Sequence, residues 1–243
     1  DGQFNTYGEL SNEEIEELEE EYDVLVERQD YVSLEEENYT VRLFSFTEKI
    51  NIPEVTAGEA PKDDDEICLT QSFEEANNVE IGDSTIINGK KYKVTGFAER
   101  PDYLYMIENQ SDSYHRAAEF GLGFVTRGEL ESLEGAAYYY SVTYDKDNQE
   151  EFRKHLNDEY ITLSYMKAET NHRISTPKST IVQFELITGV ILPALLVLVI
   201  AVIAVVLGRK VKAEKKYIGT LTALGYRKNE IAMHYAWYAI IPG

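Results

Sequence analysis

Cysteine is nearly absent from this sequence, in which Cys68 is the only one. A lone thiol excludes an internal disulfide framework and any zinc site that needs several cysteines. Histidine is sparse too, and none of the four histidines has another one four residues away, so the HExxH pattern of zinc hydrolases is missing. The Gly-x-Ser-x-Gly turn of serine hydrolases is also missing. We therefore expect a non-catalytic chain without a metal site.

A nucleotide-binding loop is missing as well. Gly89-Lys90 resembles the end of a phosphate-binding loop, but that pattern needs a glycine five positions before Gly89 and a serine or threonine after the lysine. Ser84 and Lys91 occupy those two positions. We therefore expect that this chain binds neither ATP nor any other cofactor itself.

Basic residues are few and unevenly placed. The chain has 23 lysines and arginines against 44 aspartates and glutamates, a net charge of -21. Residues 186–243 hold seven basic and two acidic residues, which makes this part +5 and leaves -26 for residues 1–185. The acidic part repels polyanions, so we expect no nucleic acid partner. Such an uneven division of charge favours two parts that lie in two compartments.

Charge is absent altogether from one long stretch. Leu186–Gly208 contains 23 residues without a charge, and a helix of this length would be about 35 Å long, enough to cross a hydrocarbon core of about 30 Å. A buried helix of a soluble protein is the alternative, but such a helix seldom needs so long an apolar run. We predict a transmembrane helix over 186–208 and the lipid bilayer as a partner.

The charges that flank this stretch predict its orientation. Basic residues follow it at once, beginning with Arg209 and Lys210, whereas the last charge before it is Glu185. The positive-inside rule places residues 209–230 in the cytoplasm and residues 1–185 outside it. An outer domain without disulfides favours a bacterial cell membrane as its location.

Both ends of the sequence suggest further membrane segments. The chain begins at Asp1 without a signal sequence, so we expect an upstream segment that carries residues 1–185 across the membrane. Residues 231–243 become apolar again, and we predict that they are the start of a further, truncated transmembrane helix.

The outer part, residues 1–177, has the pattern of an α+β domain. Ser11 and Glu14 form a capping-box pattern ahead of apolar residues at helical spacing, which predicts a helix over 12–21. Three strands are predicted, at 24–28, 39–46 and 67–70. The segment 51–66 reads as a loop because it is rich in proline, glycine and aspartate.

Asn88-Gly89 gives the clearest local signal, because this pair readily takes positive φ at both central positions of a type I′ hairpin. Farther along, residues 137–144, 147–156 and 160–166 read as strand, helix and strand. This order predicts a ferredoxin-like βαβ portion beside a β-rich core that contains the hairpin. We expect Pro177 to end the domain and residues 178–185 to form a helical stalk.

A series of short motifs in the outer part resembles a known family. They are Ala57–Pro61, Asp65–Ile67, Val79–Asp83, the Asn88-Gly89 pair and Val94–Phe97. Their order is similar to that of the extracytoplasmic core domain of MacB-like ABC transporter permeases. In this reading Gly82-Asp83 turns the chain into the hairpin, and Val94 and Phe97 point into the core. The motif positions expected to be structurally important are Gly58, Pro61, Glu66, Gly82, Asp83, Asn88, Gly89 and Gly96.

A second resemblance lies in the basic segment. Lys215–Ile231 is similar to the signature that follows the second transmembrane helix of FtsX-type permeases, although Tyr217 stands where that family usually has glutamate. The apolar residues of this segment are expected to form one face of a short amphipathic helix, with Gly219 allowing close approach and Gly225 ending the helix. Binding to the lipid surface alone is the alternative to binding a partner. The residues expected to couple to an ATPase are Ile218, Gly219, Leu221, Leu224, Gly225 and Tyr226.

These resemblances imply a mechanical role. They identify the chain as a permease fragment whose segment 209–230 binds an ABC ATPase subunit, where ATP is bound, and whose outer domain moves as ATP is hydrolysed. A second permease half or a homodimer is implied as a further partner. Export, lipoprotein handling and signal transmission all stay open, and so does the substrate. The alternative is a single-pass receptor with an acidic, ligand-sensing outer domain, which would not need residues 231–243 to be apolar.

The orientation can be tested by chemical labelling. We expect a cysteine introduced next to Asn88 to react with a membrane-impermeant thiol reagent in intact cells, because residues 1–185 lie outside. Labelling that occurs only after lysis would show the opposite orientation.

Overall fold

The computed structural model describes residues 2–145 and 147–240, which form ten strands and seven α-helices. The strands are β1 (Gly2–Thr6), β2 (Leu25–Glu35), β3 (Thr40–Ser45), β4 (Glu54–Gly58), β5 (Glu66–Leu69), β6 (Ser84–Ile87), β7 (Lys90–Glu99), β8 (Phe120–Val125), β9 (Ala137–Thr143) and β10 (Thr162–Lys167). The helices are α1 (Asn12–Tyr22), α2 (Gln71–Asn77), α3 (Arg127–Ser132), α4 (Gln149–Glu159), α5 (His172–Ala213), α6 (Lys215–Ala223) and α7 (Lys228–Ile240). A short 3₁₀ turn covers Pro101–Tyr103.

All ten strands belong to one mixed sheet. Its order is β10-β1-β9-β2-β3-β8-β5-β7-β4, and β6 also pairs with β7. The first four strands of this order, β10, β1, β9 and β2, are antiparallel to one another. The units β1-α1-β2 and β9-α4-β10 are therefore two interleaved split βαβ units. This is the strand order of a ferredoxin-like fold, and it contains the strand–helix–strand portion that the sequence predicts. The remaining six strands form an insert between β2 and β9.

One face of the ferredoxin-like part is covered by α1 and α4. Phe4 of β1 stacks on Tyr140 of β9 with ring centroids 5.3 Å apart, and Phe152 of α4 packs edge-on against Phe4 at 5.8 Å. Leu18 of α1 belongs to the same buried cluster. Burial of each large apolar side chain contributes about 1.5–3 kcal/mol, so this cluster holds both helices on the sheet.

Helix α1 begins where the sequence predicts. The backbone N–H of Glu14 donates to the Ser11 hydroxyl at 3.2 Å, and the Ser11 N–H donates to the Glu14 carboxylate at 2.7 Å. This reciprocal capping box satisfies two of the amides that a helix N-terminus leaves unpaired. Asp23 ends the helix in the left-handed conformation, with φ of 50°.

The predicted hairpin is also present. Asn88 and Gly89 have φ of 51° and 75°, as a type I′ turn requires, and they join β6 to β7. In β7 the register with β5 shifts by one residue, because Ile67 pairs with Val94 and Cys68 with Gly96. The bulge turns Val94 and Phe97 to the same face, where both pack in the core of the insert.

The prediction of a loop over 51–66 is wrong in part. Strand β4 lies inside it and pairs with β7, and β5 begins at its last residue, Glu66. Proline and glycine at 53 and 58 suggested a loop, but both lie at the limits of β4, where an edge strand tolerates them.

The chain divides into two compact units, Asp1–Ser179 and Thr180–Gly243. Helix α5 starts earlier than predicted, at His172, and therefore contains Pro177 as well as the expected stalk and span. It is long and apolar enough to cross a membrane, and none of its most apolar window is buried. A core helix of a soluble protein would be mostly buried. Of the predicted further span, α7 includes residues 231–240, and residues 241–243 lie outside the described residues.

Gly96 offers a test of the packing between β4 and β7. A Cβ atom at Gly96 would lie 2.5 Å from the backbone oxygen of Ala57. We therefore expect Gly96→Ala to lower the free energy of unfolding of the outer domain by about 1–3 kcal/mol, measured by chemical denaturation. Gly128→Ala is the matched control, because its Cβ would meet nothing closer than 3.5 Å and it lies in α3. Equal stability of the two variants would contradict the close approach.

Candidate functional site

The junction between the outer domain and α5 is made of polar contacts. Asn171 caps the helix, since its side-chain oxygen accepts from the Arg173 N–H at 3.0 Å and from the Gln110 side chain at 2.8 Å. The Gln110 side-chain oxygen in turn accepts from the His172 N–H at 2.8 Å. The start of α5 is thereby hydrogen-bonded to the loop of residues 104–119, which we call the clamp loop.

Arg173 is the centre of this junction. It is 8% exposed, its Nε donates to the Ile107 carbonyl at 3.1 Å, and its Nη2 donates to the Glu108 carbonyl at 2.5 Å. Its guanidinium also lies 4.2 Å from the centroid of the Tyr103 ring. Within the described residues no carboxylate forms a salt bridge with it. Backbone carbonyls and a ring therefore stabilise this buried charge, in a domain rich in carboxylates.

A second arginine reaches the same carbonyl from the sheet. Arg42 of β3 donates to the Glu108 carbonyl at 3.2 Å and to the Tyr103 hydroxyl at 2.8 Å. Burial opposes its charge, but its contact with Tyr103 raises the pKa of Arg42. Arg42 and Arg173 thus share one acceptor, so the clamp loop connects β3 of the insert to the start of α5.

Pro177 strengthens the junction in an unexpected way. A proline has no N–H, so in a helix it leaves the carbonyl four residues earlier without its usual partner. That carbonyl belongs to Arg173, and it accepts from the Tyr105 N–H of the clamp loop at 2.8 Å. The proline therefore frees an acceptor that the domain uses, and it does not end the helix.

A second buried polar cluster lies where the insert meets the ferredoxin-like part. Arg100 is 2% exposed and binds Asp102 through Nε at 2.7 Å and the Gln29 side chain through Nη2 at 2.7 Å. The Tyr139 hydroxyl donates to Asp102 at 2.8 Å, and burial raises its pKa well above the ordinary value, so it remains a donor. Breaking such a pair would leave a buried charge uncompensated. The cluster fixes β2 and β9 against the end of β7.

The family-motif residues all lie in the insert, within β4, β5 and β7 or in the turns and the loop between its strands. Gly58 pairs with Gly96, and Gly58 has φ of 75°. Gly82 has φ of 100°, its N–H donates to the Val94 carbonyl at 2.8 Å, and the Asp83 carboxylate accepts from the Glu80 N–H at 2.9 Å. These contacts form turns and close backbone pairings.

Two further motif residues are Pro61, in the loop before β5, and Glu66, the first residue of β5. The Glu66 carboxylate accepts from the Lys62 N–H at 3.0 Å and from the Lys93 ammonium at 3.2 Å, and these contacts lower its pKa. The Glu66 carboxylate therefore holds the loop to β7, and it lines a shallow cavity with Lys62 and Lys93.

The predicted coupling residues do not form one helical face. Helix α6 ends at Ala223, and Gly225 follows with φ of 93°. The Tyr226 N–H donates to the Leu221 carbonyl at 3.1 Å and the Gly225 N–H to the Thr222 carbonyl at 3.1 Å, which is a Schellman motif. Leu224 and Tyr226 are therefore outside the helix. No atom of the described residues lies within 4 Å of a Cβ built on Gly219, so the surface at Gly219 is open, and its close approach to a partner stays a prediction.

The Schellman motif nevertheless brings Leu221 and Tyr226 together. Both line a groove of about 540 Å³ in the second unit, beside Tyr217 and Glu230. Ile218 lines a separate, mostly apolar groove of about 520 Å³ with side chains of α5 and α7. Leu224 is 72% exposed and lines neither groove. The predicted coupling residues therefore lie on two surfaces, which the sequence did not reveal, and their contact with an ATPase stays a prediction.

The described residues contain no group of three or more histidines, cysteines or carboxylates that could hold a metal ion. Cys68 is buried, and burial raises the pKa of its thiol. The absence of catalytic chemistry stays an expectation from the sequence.

Two solved structures are similar to about two thirds of this chain. No family model and no curated protein matches the chain. The extracellular domain of the noncanonic ABC-type transporter YknZ from Gram-positive bacteria is similar at 14% identity and a TM-score of 0.39, over 67% of this chain and 98% of that one. A predicted lipoprotein from Bacillus anthracis is similar at 10% identity and a TM-score of 0.30, over 63% of this chain and 90% of that one. With TM-scores below 0.5, neither assigns this chain to a family.

Sequence reasoning missed the clamp loop and Arg173. The partners of Arg173 lie 65 and 66 residues away in the sequence, so no local pattern predicts them. One signal was available. A polar run, Asn171-His172-Arg173, lies at the start of a helix that carries no charge from Leu186 to Gly208, and polar residues at such a junction need partners in the domain.

The role of Arg173 can be measured by amide hydrogen exchange. We expect Arg173→Met to lower the free energy of local opening of the clamp loop by about 1–3 kcal/mol, because buried carbonyls lose their donors. Arg28→Met is the control, since Arg28 makes surface ion pairs with Glu9 at 2.6 Å and Asp30 at 2.8 Å, which contribute little. Unchanged exchange of residues 104–116 in Arg173→Met would show that the junction does not depend on this side chain.

Proposed function

We propose that this chain is a permease subunit of an ABC transporter in a bacterial cell membrane, in which an outer domain moves when a partner ATPase hydrolyses ATP. The observation that carries the proposal is α5. This helix begins in a hydrogen-bonded junction with the outer domain and continues through the uncharged stretch to a run of basic residues. In this proposal α5 joins the outer domain to the membrane.

The junction supports transmission of force. Arg173, Asn171 and the Arg173 carbonyl all bind the clamp loop, and Asn171 also reaches Gln3 of β1 at 3.4 Å. A displacement of the first turn of α5 would therefore move the clamp loop and, through Arg42, strand β3. A junction that held α5 by one contact would let the helix swing independently. We propose that force is transmitted from the membrane to the insert.

The cytoplasmic end supports contact with an ATPase. Residues 209–230 are basic, α6 is only nine residues long, and Leu221 and Tyr226 line a groove whose aromatic and apolar side chains are available to a partner. A helix of this length is marginal alone and gains stability from packing against another surface. In this proposal the residues that contact the ATPase are Leu221 and Tyr226, with Ile218 contributing to the neighbouring groove.

The apolar character of α7 supports a permease over a single-pass receptor. Helix α7 follows the short α6 after a tight turn, and Trp237 and Met233 are both more than half exposed. A receptor would continue into a polar linker at this point. The membrane is the environment in which these side chains are expected to be buried. A second permease half, or a second copy, is the further partner that this architecture needs.

The coupling can be tested at Leu221. We expect Leu221→Asp to abolish stimulation of ATP hydrolysis while membrane insertion is unchanged, because a carboxylate in the groove would have to be desolvated on contact. The measurement is the ATPase activity of the subunit that co-purifies with the wild-type chain from its native membranes. Leu221→Met is the control and is expected to retain stimulation, since its volume is similar. Full stimulation by Leu221→Asp would remove the proposal.

A further inference from the structure

The sheet of the outer domain has two open edges that differ in character. At one end β4 has five residues and an irregular register near Thr56, and β6 has four residues. Short and irregular edge strands protect a sheet from pairing with other chains. At the other end lies β10, and in the described part of the chain no strand pairs with its outer side. Ser164–Lys167 pair one to one with β1, so this edge is regular there.

The beginning of the β10 edge exposes large apolar side chains. Ile161 is 69% exposed and Leu163 is 61% exposed, and Leu163 has no residue opposite it in β1. Tyr7 is 76% exposed, and its N–H donates to the Ile161 carbonyl at 2.8 Å, so it lies at the same end. Apolar side chains on an open strand edge are a mark of strand addition by a partner.

Carboxylates of α1 and α4 lie near this end of the edge. Residues 9–21 contain eight glutamates and no basic residue. Of these, Glu9 pairs with Arg28 and Glu19 with Lys49, and no other one forms an ion pair within the described residues. Tyr160 is the residue just before Ile161. Its pKa is raised, first by burial and then by the charges of Glu14, Glu17 and Glu159. Carboxylates of α1 and α4 therefore give the start of the β10 edge a negative potential.

We propose that the β10 edge binds an extended segment of a partner protein, in which basic residues alternate with apolar ones and which pairs with β10 as an additional strand. Side chains of a strand point alternately to its two faces, so one row can contact Ile161 and Leu163 while the other reaches the carboxylates. A second copy of this chain does not fit, because each outer part has a charge of -26 and two such edges would repel each other. This binding site is independent of the coupling proposed above.

The test uses the full chain in nanodiscs of zwitterionic lipid and a fluorescent eight-residue peptide of alternating lysine and valine. We expect it to bind at least tenfold more tightly than the same peptide with proline in place of the two central valines, which keeps the charge but cannot continue a strand. Amides of residues 164–167 are expected to gain protection from hydrogen exchange. A peptide of alternating glutamate and valine is expected not to bind.

Two variants locate the site. The double variant Ile161→Lys, Leu163→Lys is expected to weaken binding at least tenfold, whereas Ile86→Lys, at an equally exposed residue of the opposite edge, is expected to leave it unchanged. Equal affinity for the proline peptide, no binding of the parent peptide, or unchanged affinity of the double variant would overturn the proposal. A wild-type dimer that the double variant dissociates would assign the edge to a second copy, and would overturn it equally.

Discussion

The cost of exposing 23 consecutive uncharged residues to water is the constraint on which the rest of this structure depends. None of the most apolar window of α5 is buried by the part of the chain that the structure describes. Apolar side chains gain roughly 0.8 kcal/mol per buried methylene when they leave water, and a bilayer offers that environment along the whole stretch. In the proposed topology, with α5 in the bilayer, the acidic and basic parts of the chain lie on opposite sides.

In the proposed arrangement α5 is held by lipid, and it needs a different kind of attachment to the folded domain at its start. Here the attachment is polar, with Arg173 bound by backbone carbonyls and Asn171 by a side-chain amide. Hydrogen bonds have defined directions, whereas apolar contacts allow sliding at little cost. The buried polar residues Gln29, Arg100 and Asp102 continue this pattern toward the insert. The polar contacts therefore fix the orientation of the helix start as well as its position.

Local patterns predicted most of the elements. The capping box at Ser11, the Asn88-Gly89 turn and the strand–helix–strand order after residue 137 each depend on residues close in sequence, and each appears in the structure. Features that depend on distant contacts were not predictable. The pairing that makes β4 a strand comes from β7, and the carbonyl freed by Pro177 is satisfied from Tyr105. In the basic segment, the turn at Gly225 divides residues that were expected to share one helical face.

The insert lies between β2 and β9, two neighbouring strands of the ferredoxin-like part. Domain insertions are often tolerated at such a connection. In this protein the clamp loop belongs to the insert, and it is the insert that supplies the acceptors for the start of α5. Exchange of the insert between homologues would therefore require co-evolution of Arg42, Tyr103 and Arg173 as one set. Modular evolution of the outer domain is restricted by the residues that anchor it to its own membrane helix.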